Sequence, residues 1–73
     1  MSIDVASELQ RTFGERVCAR RKRLGWSQAI LAEKLEMHQP DVCDLEKGRH
    51  APTLETVEKV AGILGVPAKS LLD

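Results

Sequence analysis

Tyrosine is absent from this 73-residue chain, and aromatic residues make up only 3% of it. That excludes a core built on many large anchors, so Phe13 and Trp26 carry unusual weight. No apolar run approaches the roughly 20 residues of a membrane-spanning helix. The N-terminal MSIDVASELQ has neither a basic head nor an apolar centre, and it does not read as a secretory signal. There are two cysteines, Cys18 and Cys43, expected as reduced thiols in the cytoplasm rather than as a bridge. No glycine-rich phosphate loop is present, and neither histidine has an obvious nucleophile to serve, so no enzyme chemistry is expected. No repeat, linker or low-complexity segment divides the chain, and residues 1–73 are expected to form one small domain. Chains of this size bury only about 60% of their unfolded surface. Hydrophobic residues at 42% and charged residues at 30% suit a soluble globular chain.

The most organised stretch is GWSQAILAEKLEMHQPDVCDLEKG, from Gly25 to Gly48. Ser27 is a natural N-cap, since its hydroxyl can accept from the free N–H groups of the turn it starts. Leu31, Ala32 and Leu35 follow at helical spacing. Glu36, Met37 and His38 break the pattern, and a second short helix follows with Val42 and Leu45 inward. Gly48 supplies its left-handed stop. Two helices joined this tightly must cross steeply, which is the geometry of a helix-turn-helix spanning about residues 27–47.

Around this stretch the first helix is expected over residues 3–24, with Val5, Leu9, Phe13, Val17 and Leu24 as its stripe. Val5 and Leu9, with Ile3, either pack as an N-terminal arm or remain exposed as a subunit contact. Thr53 caps a fourth helix carrying Leu54, Val57, Val60, Ala61 and Leu64. Gly65 ends it, and Pro67 opens a short fifth helix with Leu71 and Leu72. The expected fold is therefore all-α, a compact domain of five helices.

The wording also resembles a known family. S-Q-x-x-L-A, then x-V-x-x-L-E-x-G, resemble the lambda-repressor/Cro-like helix-turn-helix family, often called XRE-like. F-G-E-R-V before them, and A-P-T-L-E-T-V-E-K-V-A and L-G-V-P-x-x-x-L-L after them, extend the likeness from Phe13 to Leu72. Several linked motifs in order are far more specific than S-Q-x-x-L-A alone. The resemblance implies a sequence-specific transcriptional regulator that binds double-stranded DNA, similar to stand-alone restriction-modification controllers and phage Cro-like repressors.

What the resemblance implies can be carried residue by residue. Gln39, Asp41 and Asp44 occupy the outward positions of the second motif helix that read bases. Glutamine suits adenine, and a carboxylate can accept from the cytosine amino group. Asp41 lies in the first turn and can equally serve the helix dipole; Asp44 lies beyond the dipole's reach. Gln28 and Cys43 stand near the DNA backbone, Cys43 also serving as a small spacer. Arg23 and Arg49 flank the motif and are either phosphate contacts or part of a solvated face. Arg21 and Glu46 match an inward ion pair with a structural role. Two positions depart from the pattern. Ile30 replaces the glutamate that would complete a capping box with Ser27, and His38 replaces the usual Ser or Thr cap.

Net charge is zero, whereas a basic surplus is the usual footprint of a nucleic-acid binder. Modest non-specific affinity follows, not absence of binding. A homodimer on a two-fold operator is expected, with Ile63, Leu71 and Leu72 as apolar anchors and Val5 with Leu9 as the rival surface. The alternative is a protein-interaction module of the same fold, antitoxin-like, which the acidic second motif helix and Ile30 favour. No metal, cofactor, membrane contact or small-molecule ligand is expected. The cysteines and histidines show no zinc-ligand spacing.

Overall fold

A computed structural model describes residues 5–73, with the side chains of Val5 and Ala6 left aside. Ile3 thus lies outside the described residues, and so does the side chain of Val5. Among the described residues four helices run in the order α1 (Val5–Arg23), α2 (Gln28–Leu35), α3 (Gln39–Glu46) and α4 (Leu54–Leu64), followed by a 3-10 turn at Ala68–Leu71. The fifth helix expected from Pro67 is that single turn. Four residues are too few for α-helical bonding to propagate, and 3-10 geometry suits so short a piece.

The core is aliphatic. Phe13 and Val17 of α1 meet Leu31 and Leu35 of α2, Val42 and Leu45 of α3, and Val57, Val60 and Leu64 of α4, all at most 4% exposed. Trp26 is half-buried at the edge of this core, with the Lys34 ammonium 4.8 Å from its ring centroid. That contact occupies the indole face. Leu9, expected on the inner stripe, is 46% exposed. The stripe that actually faces α3 is Phe13, Gly14, Val17 and Arg21, because α1 turns its later half inward.

Gly14 explains how closely α1 and α3 approach. A Cβ placed there would stand 2.5 Å from the Leu45 carbonyl oxygen and 2.6 Å from that of Glu46. Only a residue without a side chain fits against those carbonyls.

Basic side chains tie helix ends to their neighbours. The Arg20 Nε donates to the Leu64 carbonyl at 3.0 Å, and the Lys59 Nζ to the Leu35 carbonyl at 2.8 Å. Arg16 donates twice to the Asp73 carbonyl, at 3.0 and 2.7 Å. These carbonyls lie at or beyond helix C-termini, where acceptors lack intrahelical donors and positive charge is favoured. The run of arginines on α1 is thus largely structural.

Candidate nucleic-acid interface

The α2–turn–α3 unit is held from both sides of its turn. Ser27 Oγ accepts from the Ile30 N–H at 3.1 Å, the cap the sequence leads one to expect. Glu36 then takes a left-handed conformation, φ 57° and ψ 42°, and Met37 N–H reaches back to the Ala32 carbonyl at 2.9 Å. A side chain in this region costs roughly 1–2 kcal/mol. α3 is preceded by His38 at the N-cap, whose side chain makes no cap bond, with Pro40 in the first turn. The missing proline N–H would have had no partner there in any case.

α3 ends in a paired turn. Gly48 N–H donates to the Leu45 carbonyl at 3.2 Å, and Arg49 N–H to the Asp44 carbonyl at 3.0 Å. The pattern requires the first of the two donors to be left-handed, and Gly48 is, at φ 73°. Its missing Cβ would also press on the Arg11 Cα at 3.0 Å. One consequence is chemical: Arg49 and His50 are folded back beside Asp44. Arg49 Nη1 lies 3.3 Å from Asp44 Oδ1, and His50 Nε2 lies 3.8 Å from Asp44 Oδ2.

Beneath the exposed face sits a buried polar network. Arg21 Nε donates to Glu46 Oε2 at 2.7 Å and Arg21 Nη2 to Oε1 at 2.9 Å, a bidentate pair. The remaining guanidinium nitrogen donates to the Trp26 carbonyl at 2.9 Å, and Cys18 Sγ accepts from Nη2 at 3.6 Å. Gln28 Nε2 donates to Glu46 Oε1 at 3.0 Å. Among the described residues no buried side-chain nitrogen or oxygen lacks a partner. Burial pushes the Glu46 carboxyl up, but the hydrogen bonds from Arg21 and Gln28 together outweigh it and hold the group below its ordinary value. The hydrogen bond from Glu46 likewise raises Arg21.

The structure brings together only part of the expected set. Gln39 is exposed on α3, while Asp41, Cys43 and Asp44 are half-exposed along it. Gln28 lies beside α3, one amide N–H engaged on Glu46, which leaves its second amide N–H, its amide oxygen and the backbone N–H groups of the α2 N-terminus as its outward chemistry. Arg49 is joined to α3 through Asp44. Arg23 has no contact with α3 among the bonds and ion pairs described. It stands about 200° around α1 from Arg21, and it lines a cleft with Arg16, Arg20, Val66 and Ser70.

One of the three expected apolar anchors needs correction. Leu71 is 2% exposed, a core residue pinned between α1 and α4 rather than a surface anchor. Ile63 and Leu72 are half-buried against the same core. The exposed large hydrophobics described are Leu9 at 46%, Ile30 at 40% and Leu54 at 81%. Leu9, Leu54 and Leu72 border one apolar cleft of about 250 Å³ with Phe13, Pro52 and Val57. Sequence reasoning missed Leu54, since its helical phase resembled that of a core position; its place in the first turn of α4 leaves it beyond the core. It also missed His50 beside Asp44, which the L-E-x-G-R-H ending implies once the turn type is known.

A helix-turn-helix family model matches residues 19–71. The chain belongs to this helix-turn-helix family of DNA-binding transcriptional regulators, which are not enzymes, and has its lambda-repressor-like fold. It is 31% identical over 70 residues to the control protein C.BamHI of Bacillus amyloliquefaciens, covering 94% of this chain and 86% of that one. It is 38% identical over 61 residues to the immunity repressor of Bacillus phage phi105, covering 84% of this chain; the match spans 42% of that longer protein. Among solved structures, the restriction-modification controller C.AhdI of Aeromonas hydrophila superposes with a TM-score of 0.78 at 27% identity, over 85% of this chain and 94% of that one. The hypothetical transcription factor NHTF of Neisseria gives 0.85 at 29% identity, over 100% of this chain and 84% of that one.

Proposed function

We propose that this protein is a controller-type transcriptional regulator that works in the cytoplasm as a homodimer on a two-fold operator. Each copy lays α3 in the major groove of double-stranded DNA. One observation carries the reading: a cap-to-cap α2–turn–α3 unit presents Gln39, Asp41 and Asp44 on the open side of a helix whose other side is locked by Val42, Leu45 and Glu46. Gln39 and Asp44 read base edges; Asp41 either reads or supports the helix N-terminus. Gln28, Cys43 and Arg49 contact the backbone, Gln28 through its second amide N–H and the backbone N–H groups at the α2 N-terminus. The acidity of α3, which favours a protein-interaction module instead, is met at Asp44 in the free protein by the Arg49 guanidinium.

The dimer follows from scale. An eight-residue helix is about 12 Å long and reads only a few base pairs, so useful specificity takes two copies about 34 Å apart along the duplex. The cleft bordered by Leu9, Leu54 and Leu72 is the surface proposed for that contact. Binding titrations against an enriched site and against random duplex test the reading. Gln39→Ala should cost roughly 1–3 kcal/mol on the site while sparing random DNA. Arg49→Ala should weaken both and flatten the salt dependence by about one unit of slope. Equal losses on both duplexes from Gln39→Ala would remove the base-reading role.

A further inference from the structure

Arg49 has two anions to serve. The turn that ends α3 fixes its backbone on the Asp44 carbonyl, and its guanidinium rests 3.3 Å from the Asp44 carboxylate. Both side chains remain open to solvent, at 64% and 39% exposure, so the pair is free to separate. Asp44 offers Arg49 what a DNA phosphate offers it: oxygen acceptors bearing negative charge. His50 faces the other oxygen of the same carboxylate at 3.8 Å and still flanks it if Arg49 leaves.

We infer that Asp44 is an internal stand-in for phosphate, and that Arg49 exchanges from the Asp44 carboxylate to the DNA backbone when the protein binds. The exchange is built into one turn, since Gly48 holds the cation and the reading carboxylate on adjacent sides of it. It ties backbone contact to base reading: the phosphate that takes Arg49 uncovers Asp44 for a base edge. In the free protein the Asp44 charge is met by Arg49; on DNA it is met only by what it reads. The inference rests on the proposal that Arg49 contacts phosphate, and it adds that this contact must first break another.

A double-mutant cycle on random duplex DNA at low salt tests the exchange. Wild type, Asp44→Asn, Arg49→Ala and the double variant are compared, each verified as folded by its thermal melt. Exposed ion pairs are weak, so the exchange should make the gain from Asp44→Asn roughly two- to five-fold larger when Arg49 is present than when it is alanine. Equal gains in the two backgrounds would mean that Asp44 acts only by repelling phosphate, and the exchange would be overturned. A larger gain in the Arg49→Ala background would mean that the pair stays closed on DNA, which also overturns it. Wild type without measurable duplex binding would overturn the exchange together with the DNA-reading proposal, an outcome distinct from either of the others.

Discussion

The Arg21–Glu46 pair holds most of its meaning in what it would leave behind. Side-chain exposures of 9% and 4% place both charges away from water. Glu46→Ala should therefore destabilise by roughly 3–5 kcal/mol, since Arg21 is left buried and unpaired. A double change to apolar residues of similar size should cost less. Equal, small losses by chemical denaturation would contradict this. The pH dependence has a definite sign. Glu46 is held below its ordinary value of 4.5, so its contribution is fully present above about pH 4.5 and is lost as acid titrates the folded state. The double apolar variant should lack that part of the acid limb. Glu36 gives the opposite kind of prediction. Its left-handed conformation suits glycine, and Glu36→Gly should raise stability by roughly 1 kcal/mol; a loss would show that its side chain makes a compensating contact. Residue identity in the sequence was enough to pair Arg21 with Glu46 through the family resemblance. It was not enough to show Gln28 donating to Glu46, because that bond depends on how steeply α2 and α3 cross.

Elements were legible where caps and periodicity agreed. Ser27, Thr53, Gly48 and Gly65 mark helix limits in the sequence, and the structure uses each of them as a cap or stop. The last element was less legible, since proline followed by two leucines fits a 3-10 turn as well as a helix. Burial was harder still. Leu71 and Leu72 are neighbours with the same chemistry, yet Leu71 fills the core and Leu72 borders the surface cleft. No one-dimensional pattern separates them, because the turn's phase relative to α1 decides. The approach of α1 to α3 rests on Gly14, and Gly14→Ala should cost roughly 1–3 kcal/mol as the added methyl forces two backbones apart. Unchanged thermal stability would mean that the helices separate without loss of packing.

At the scale of the molecule, the described surface leaves its apolar cleft beside Leu9 and Leu54, away from the arginine-rich face of α1 that lines a separate cleft. No helix among the described residues is long and apolar enough to cross a membrane. Pairing two copies through Leu9 and Leu54 should bury what each copy exposes, and Leu54→Glu should give folded monomers in sedimentation. Leu71→Glu should instead unfold the chain, since it places a charge in the core. Folded dimers from Leu54→Glu would move the contact elsewhere. The central claim is that α3 reads sequence, and selection of bound sites from random duplex DNA tests it most directly. The account predicts enrichment of a two-fold symmetric site with half-sites about one helical turn apart, lost when Gln39 and Asp44 are both replaced by alanine. A wild-type chain that enriches no sequence under conditions where it is folded would contradict it.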